Sequence, residues 1–234
     1  MSNTNYMNDV MQDILKHSAQ SSAAWDKLRL GKFTASKVWQ LMSDPKLKAD
    51  KEAGKFSDTG EKYIIERAME EITGMPCDEA FGRAIDHGNE WEETALLALR
   101  DQLNAKMELK PAFGLFNEHS GASPDAFIYL DDGTRIGVEM KCPFNSINHF
   151  WHSQVDCAEK LKEIDKTYYW QVLMNCLTFK CTTWIFASFD PRMPEDKRLH
   201  FCYIEPCIDD LTELCKRIER AADMKQQIVN QFSI

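Results

Sequence analysis

An α/β domain is what this sequence predicts, with short strands and longer amphipathic helices sharing one core. Three observations carry the prediction. Residues 123–144 hold a β-hairpin: an apolar run, the turn signal Asp131-Asp132-Gly133-Thr134, and a second alternating run. Helical periodicity stands on both sides of it, over about residues 58–72 and 84–103 before and from about residue 146 after. Two further strand-like runs, residues 182–189 and 199–204, lie behind the helices. At 234 residues and 44% hydrophobic content, one sizeable domain over residues 23–234 is the default, with residues 1–22 as a polar arm or peripheral helix.

The hairpin carries the chemistry. If Gly133 closes a three-residue loop, Leu130 faces Thr134, and counting back sets Asp125 opposite Glu139. The period of two then sorts the faces. Ala126, Ile128, Leu130, Ile136, Val138 and Met140 share an apolar side, while Asp125, Glu139 and Lys141 share the other. Two carboxylates side by side repel unless a cation lies between them, and hard oxygen ligands suit Mg²⁺ or Mn²⁺. Such an ion polarises a phosphodiester and acidifies a bound water. An ammonium two residues further on can orient that water or meet charge growing in the transition state. The plainer reading is a solvated strand face with a Glu/Lys pair, and the spacing alone leaves both open.

Taken in order, the arm offers Val10, Met11, Ile14 and Leu15 as one amphipathic helix. Thr34 fits the N-cap of a short helix reaching about Met42, ahead of Pro45. The N–H groups of that helix, with Arg29 and Ser36, could surround an anion; otherwise this is a routine cap and an unrelated arginine. Lys46, Lys48, Lys51 and Lys55 populate a loop that either follows a DNA backbone or is a solvated linker. The helix over 58–72 stops at Gly74. On the helix over 84–103, Ile85, Leu96, Leu99 and Leu103 form an apolar stripe, and Glu92 falls on it. A carboxylate there needs a partner, either a metal or an internal salt bridge. Residues 106–116 alternate as a strand. After Pro143, helices follow over about residues 146–160 and from about Lys166. Gln171 is the only polar residue in the run from Tyr168 to Met174, so its amide is buried and needs partners, beside the site or on a stray carbonyl. A last helix covers about residues 208–229.

No apolar run approaches the ~20 residues of a membrane span, and the polar N-terminus has no signal-peptide core. The expectation is a soluble, cytoplasmic protein with no membrane partner. Eight cysteines are scattered without a Cys-x-x-Cys and are read as reduced core residues. His149, His152 and Cys157 are read as ordinary core and helix-surface residues rather than ligands. A net charge of −9 argues against a generic nucleic-acid coat. Its distribution is uneven: residues 27–62 carry nine basic groups against five acidic, and residues 66–101 ten acidic against three basic. That suits a protein meeting phosphates along one surface only.

Ser123-Pro124-Asp125, then Glu139-Met140-Lys141-Cys142-Pro143-Phe144, with Gly88-x-x-x-Glu92 upstream, resembles the phage lambda-type exonucleases, YqaJ-like viral recombinase nucleases of the PD-(D/E)xK superfamily. The likeness continues in matching order through Trp25-x-x-Leu28-Arg29-Leu30-Gly31, Thr34-Ala35-Ser36, Gln171 and Phe189-Asp190-Pro191-Arg192-Met193. It implies a restriction-endonuclease-like fold, a central mixed β-sheet flanked by helices. It implies metal binding by Glu92, Asp125, Glu139 and the backbone carbonyl of Met140, with Lys141 acting on the nucleophilic water and Gln171 nearby. Arg29, Ser36 and Ser123 match positions that hold a terminal 5′-phosphate, with Trp25 beside them, and Ile85 falls where the family places an apolar wedge against the end base pairs. Met174 departs from the pattern, standing where relatives often carry a tyrosine.

The activity so implied is Mg²⁺-dependent 5′→3′ digestion of linear double-stranded DNA, with Mn²⁺ as substitute ion. It would release 5′-mononucleotides and leave a 3′ single strand for recombination by annealing. A homotrimeric ring and a single-strand annealing partner are family traits that the residues themselves do not display. Two other readings stay open: a structure- or site-specific DNA endonuclease on the same fold, and a DNA-end-binding protein without catalysis. The intact Asp125, Glu139 and Lys141 set speaks against the second, because a pure binder has no use for that lysine beside a metal.

Overall fold

A hairpin in the expected register lies at the centre of the computed structural model, which describes residues 23–77 and 82–232. Strand β5 (Ala126–Tyr129) runs antiparallel to β6 (Arg135–Lys141), with Ala126 opposite Val138 and Tyr129 opposite Arg135. At the turn, the Gly133 N–H donates to the Leu130 carbonyl (3.0 Å) and the Leu130 N–H to that of Thr134 (2.9 Å). One residue before β5, the Asp125 N–H donates to the Val138 carbonyl (3.2 Å), so Asp125 stands beside Glu139 as the count predicts.

The hairpin is part of a five-stranded sheet. Its order is β2 (Lys106–Leu109), β5, β6, β7 (Trp184–Phe189), β8 (Leu199–Ile204). Only β6 and β7 are parallel, so the sheet is mixed. A parallel neighbour demands a long crossover, here made by α5 (Ser146–His152), α6 (Ala158–Ile164) and α7 (Lys166–Phe179). Helix α4 (Arg83–Leu103) covers one face, joining Ala95, Leu96 and Leu99 to Ile128, Val138 and Met140 in one core. On the other face, Val172 and Leu173 of α7 share a second core with Phe127, Trp184 and Phe186. Both faces are therefore buried, and the strand face carrying Glu139 is not solvated. At Gly137 the Trp184 ring passes where a side chain would begin, with Cη2 2.1 Å from an added Cβ, so only glycine fits there.

A smaller sheet abuts this one. Its strands are β1 (Phe33–Thr34), β4 (Ser120–Ala122) and β3 (Gly114–Asn117), in that order. Helix α1 (Ala23–Arg29) precedes it, a short α2 (Lys48–Glu52) and α3 (Asp58–Thr73) follow β1, and α8 (Ile208–Phe232) closes the chain. Helix α3 ends at Gly74, as read from sequence, in the left-handed conformation (φ 69°).

Five expectations change. Thr34 caps no helix: its N–H donates to the Tyr63 hydroxyl (2.9 Å), its backbone pairs with β4, and only a 3₁₀ turn (Val38–Gln40) follows. The strand expected over 106–116 is two strands in two sheets, because Lys110 turns at φ 47° and Pro111 has no N–H to continue a ladder. The helix expected over 146–160 breaks between α5 and α6, where Val155 enters the core and its carbonyl accepts from the His200 ring (2.7 Å). The lysine loop is largely α2, and its four lysines pair with Asp58, Glu52, Asp44 and Asp50 at the surface. Leu130, expected on the core face, is 44% exposed beyond the end of the sheet. The eight cysteines are free. The amphipathic helix expected around Val10 lies outside the described residues. No described helix is long and apolar enough to cross a membrane.

Candidate active site

Pairing β5 with β6 sets two carboxylates at the open end of the hairpin, Asp125 half-buried and Glu139 buried. Asp125 accepts the Met140 N–H on Oδ2 (2.7 Å). Burial, and next the Glu139 charge, raise its carboxyl well above the usual range. Glu139, on the same face, is buried under α7. Its Oε1 accepts from Lys141 Nζ (2.6 Å) and Gln171 Nε2 (2.6 Å), and its Oε2 from Asn175 Nδ2 (2.9 Å). Gln171 and Asn175 are one helical turn apart, so one face of α7 supplies both amides. Lys141 Nζ also reaches Gln171 Oε1 (3.4 Å) and sits 4.3 Å from the Tyr168 ring centroid. Burial alone would pull this lysine down, but Glu139, then Tyr168 and Asp125, outweigh it and hold its ammonium above the ordinary range.

This arrangement forms the floor of a cleft of about 730 Å³. Glu92, Asp125, Met140, Lys141 and Gln171 line it, and Glu139 lies just beneath, 1% exposed. Met140 sends its side chain into the core, so what it offers the cleft is main chain. The opposite wall is Trp25, Arg29, Ser36 and Ser123, and Ile85, 40% exposed rather than in the apolar stripe, stands at the mouth with Phe144. Every site residue that the family resemblance implies is thus at or directly under one cleft.

The wall is cross-tied. The Arg29 guanidinium lies 3.8 Å over the Trp25 ring, and Trp25 Nε1 donates to Ser123 Oγ (2.9 Å), two residues from Asp125. Burial holds the Arg29 guanidinium below its usual range. Ser36 sits in an exposed turn, so the helix N–H groups expected beside it are absent. Beyond Lys141 the loop is held from behind. Arg192 donates to both carboxylate oxygens of Asp190 and to the carbonyls of Pro143 (3.1 Å) and Phe144 (2.8 Å). Burial opposes the Asp190 charge, but the Arg192 hydrogen bonds bring its carboxyl down to about 2.

Among the described residues, no three Asp, Glu, His or Cys side chains close around a common point. Glu139 has both oxygens in hydrogen bonds, and Glu92 instead meets Lys110 (3.4 Å). The salt bridge is therefore the partner this structure gives Glu92. The donor set still fits a small hard cation. Asp125, Glu92 and the Met140 main chain are all oxygen donors facing the cleft, and the charge crowded on Asp125 and Glu139 is what a cation offsets.

Sequence reasoning missed two contributors and one contact. Asn175 lies just past the apolar run and four residues from Gln171, so helical spacing could have found it. Lys110 meets Glu92 across a long loop, where no local pattern points to its partner. Arg192 stands in the matched Asp190-Pro191-Arg192 run, but its reach to the Pro143 and Phe144 carbonyls has no local signal.

Residues 24–183 match the model of the YqaJ-like viral recombinase domain. No curated protein matches the sequence. Among solved structures, the fold is similar to LHK-Exo, an alkaline exonuclease from Laribacter hongkongensis, with a TM-score of 0.72 at 21% identity over 90% of this chain and 95% of that one. The same enzyme in complex with dAMP gives 0.72 at 22% identity, with the same coverage. A phage-related exonuclease from Haemophilus somnus 129PT gives 0.69 at 20%, over 86% and 96%.

Proposed function

From a chain that belongs to the YqaJ-like viral recombinase family, and from a cleft with an Asp/Glu/Lys floor and an arginine wall, we propose a Mg²⁺-dependent exonuclease that degrades linear double-stranded DNA from its 5′ ends. The observation that carries this reading is the convergence of Lys141, Asp125 and Arg29 on one cleft.

In the proposed reaction a water oxygen bonds to phosphorus and the P–O3′ bond breaks. The water gives up a proton and one ends on the departing O3′. Asp125, Glu92 and the Met140 carbonyl would hold a Mg²⁺, with Mn²⁺ as substitute, which when bound would supply Lewis acidity to the phosphate. Lys141 is already fixed by Glu139 and Gln171, so its ammonium meets growing negative charge without reorganising. Gln171 and Asn175 hold Glu139 in place for that lysine. Arg29, Ser36 and Ser123 bind the terminal 5′-phosphate, and Ile85 bears on the end base pairs. Cleavage at P–O3′ leaves a fresh 5′-phosphate on the next nucleotide, so each turnover restores the group that the wall reads. The undigested 3′ strand would serve annealing in recombination, with a single-strand annealing protein as partner and a trimer as the working assembly.

The test is purified protein on linear and on covalently closed circular duplexes, with Mg²⁺ or EDTA. Loss of the linear form alone, and only with Mg²⁺, is the expected result. Cutting of closed circles would replace this reading by an endonuclease, and no cutting at all by an end-binding protein.

A further inference from the structure

Two charged side chains outside the cleft are almost completely buried, Glu70 on α3 (3% exposed) and Lys225 on α8 (1% exposed). Both end on the same residue. Glu70 Oε2 accepts the Gly31 N–H (2.9 Å), and Lys225 Nζ donates to the Gly31 carbonyl (2.9 Å). Gly31 adopts φ 69°, and a Cβ there would lie 3.2 Å from Glu71 Cβ, so the chain turns with its backbone pressed on α3. The turn is closed on itself by the Lys32 N–H donating to the Arg29 carbonyl (3.0 Å). Arg29 is two residues from the clamped glycine.

Each charge also has its own counter-ion: Arg67 for Glu70 (2.8 Å) and Glu71 for Lys225 (2.7 Å). Neither pair adds much stability over apolar packing: desolvation offsets the attraction in the buried Glu70–Arg67 pair, and solvent screens the half-exposed Glu71 beside Lys225. What they supply here, and apolar side chains could not, is a fixed position for both polar groups of one glycine. Arg29 and Trp25 flank the cleft from the helix end that this glycine anchors.

We infer that Glu70 and Lys225 are positioning residues for DNA-end recognition, clamping the Gly31 turn so that Arg29 is held where a terminal phosphate binds. This rests on the reading of the cleft wall as a 5′-phosphate site. The test is Lys225→Met in the full chain, on two duplexes that differ only in a 5′-phosphate or 5′-hydroxyl at the attacked end. The phosphate-over-hydroxyl ratio in kcat/KM should fall about three- to tenfold, through KM for the phosphorylated end, and the hydroxyl end should change by less than about twofold. Lys225→Arg, which keeps a donor, should restore most of the ratio. Glu70→Gln, which keeps the side-chain shape but weakens the charge-assisted bond, carries the same test if Lys225→Met does not fold. An unchanged ratio, even with a lowered melting temperature, would make the clamp merely structural and overturn the inference while leaving the cleft reading intact. A wild type indifferent to the 5′-phosphate would instead remove the cleft reading, and the inference with it.

Discussion

The floor and the wall of the cleft are held by different physics. Asp125, Glu139 and Lys141 belong to two neighbouring strands, so the ladder itself sets their spacing, and a one-residue slip would turn Glu139 to the wrong face. Arg29, Ser36 and Ser123 come from a helix end, a turn and a strand end, joined by the Trp25–Ser123 hydrogen bond and by buried charges from α3 and α8. The floor is a local construction completed by α7, whereas the wall exists only once distant parts of the chain have docked. Changes in the floor should therefore act on the chemical step, and changes in the wall on the choice of end.

The largest effect is expected at Lys141. Removing a charge preorganised for the transition state costs about 10²–10³ in turnover. Lys141→Ala should show this in single-turnover rates, with DNA affinity nearly unchanged. Near-normal turnover would mean the floor is not catalytic. Arg29→Ala comes next, losing a charge-assisted contact and about ten- to a hundred-fold in rate on 5′-phosphorylated ends. Hydroxyl ends should lose much less, and equal losses on both would erase the division between floor and wall. Asn175→Ala is a subtler floor change. It removes one of three hydrogen bonds to Glu139 and should lower turnover roughly tenfold with no change in end preference.

The smallest effect is on stability. Because the folded Asp125 carboxyl is raised by burial and by Glu139, its contribution is fully present below its unfolded pKa of about 4 and is lost as pH climbs through the raised folded value. Asp125→Asn keeps an acceptor for the Met140 N–H and drops the charge. In EDTA its melting temperature should exceed wild type by a few degrees, with the gap opening as pH rises. Mg²⁺ should stabilise wild type and not the variant. Equal response of both proteins to Mg²⁺ would take Asp125 out of the metal site.

The same division explains what could be read from sequence. The Asp131–Thr134 turn and the period of two were enough to put Asp125 opposite Glu139, because hairpin register is a short-range property. Gln171 was found as a polar residue in an apolar run. Thr34 misled, since a good capping residue also suits a strand edge and the decision belongs to Tyr63 and β4. The break at Lys110 likewise depends on which sheet each half joins. Glu70 and Lys225, 39 and 194 residues from Gly31, have no local signal at all.

One measurement tests the central claim directly. A linear duplex carries a 5′-phosphate at one end and a 5′-hydroxyl at the other, with each strand labelled internally, and its products with Mg²⁺ are followed over time. The account predicts mononucleotides released in sequence from the 5′-phosphorylated strand, while the complementary strand stays intact at its 3′ end. Release beginning at 3′ termini, or oligonucleotides cut from the interior, would contradict it.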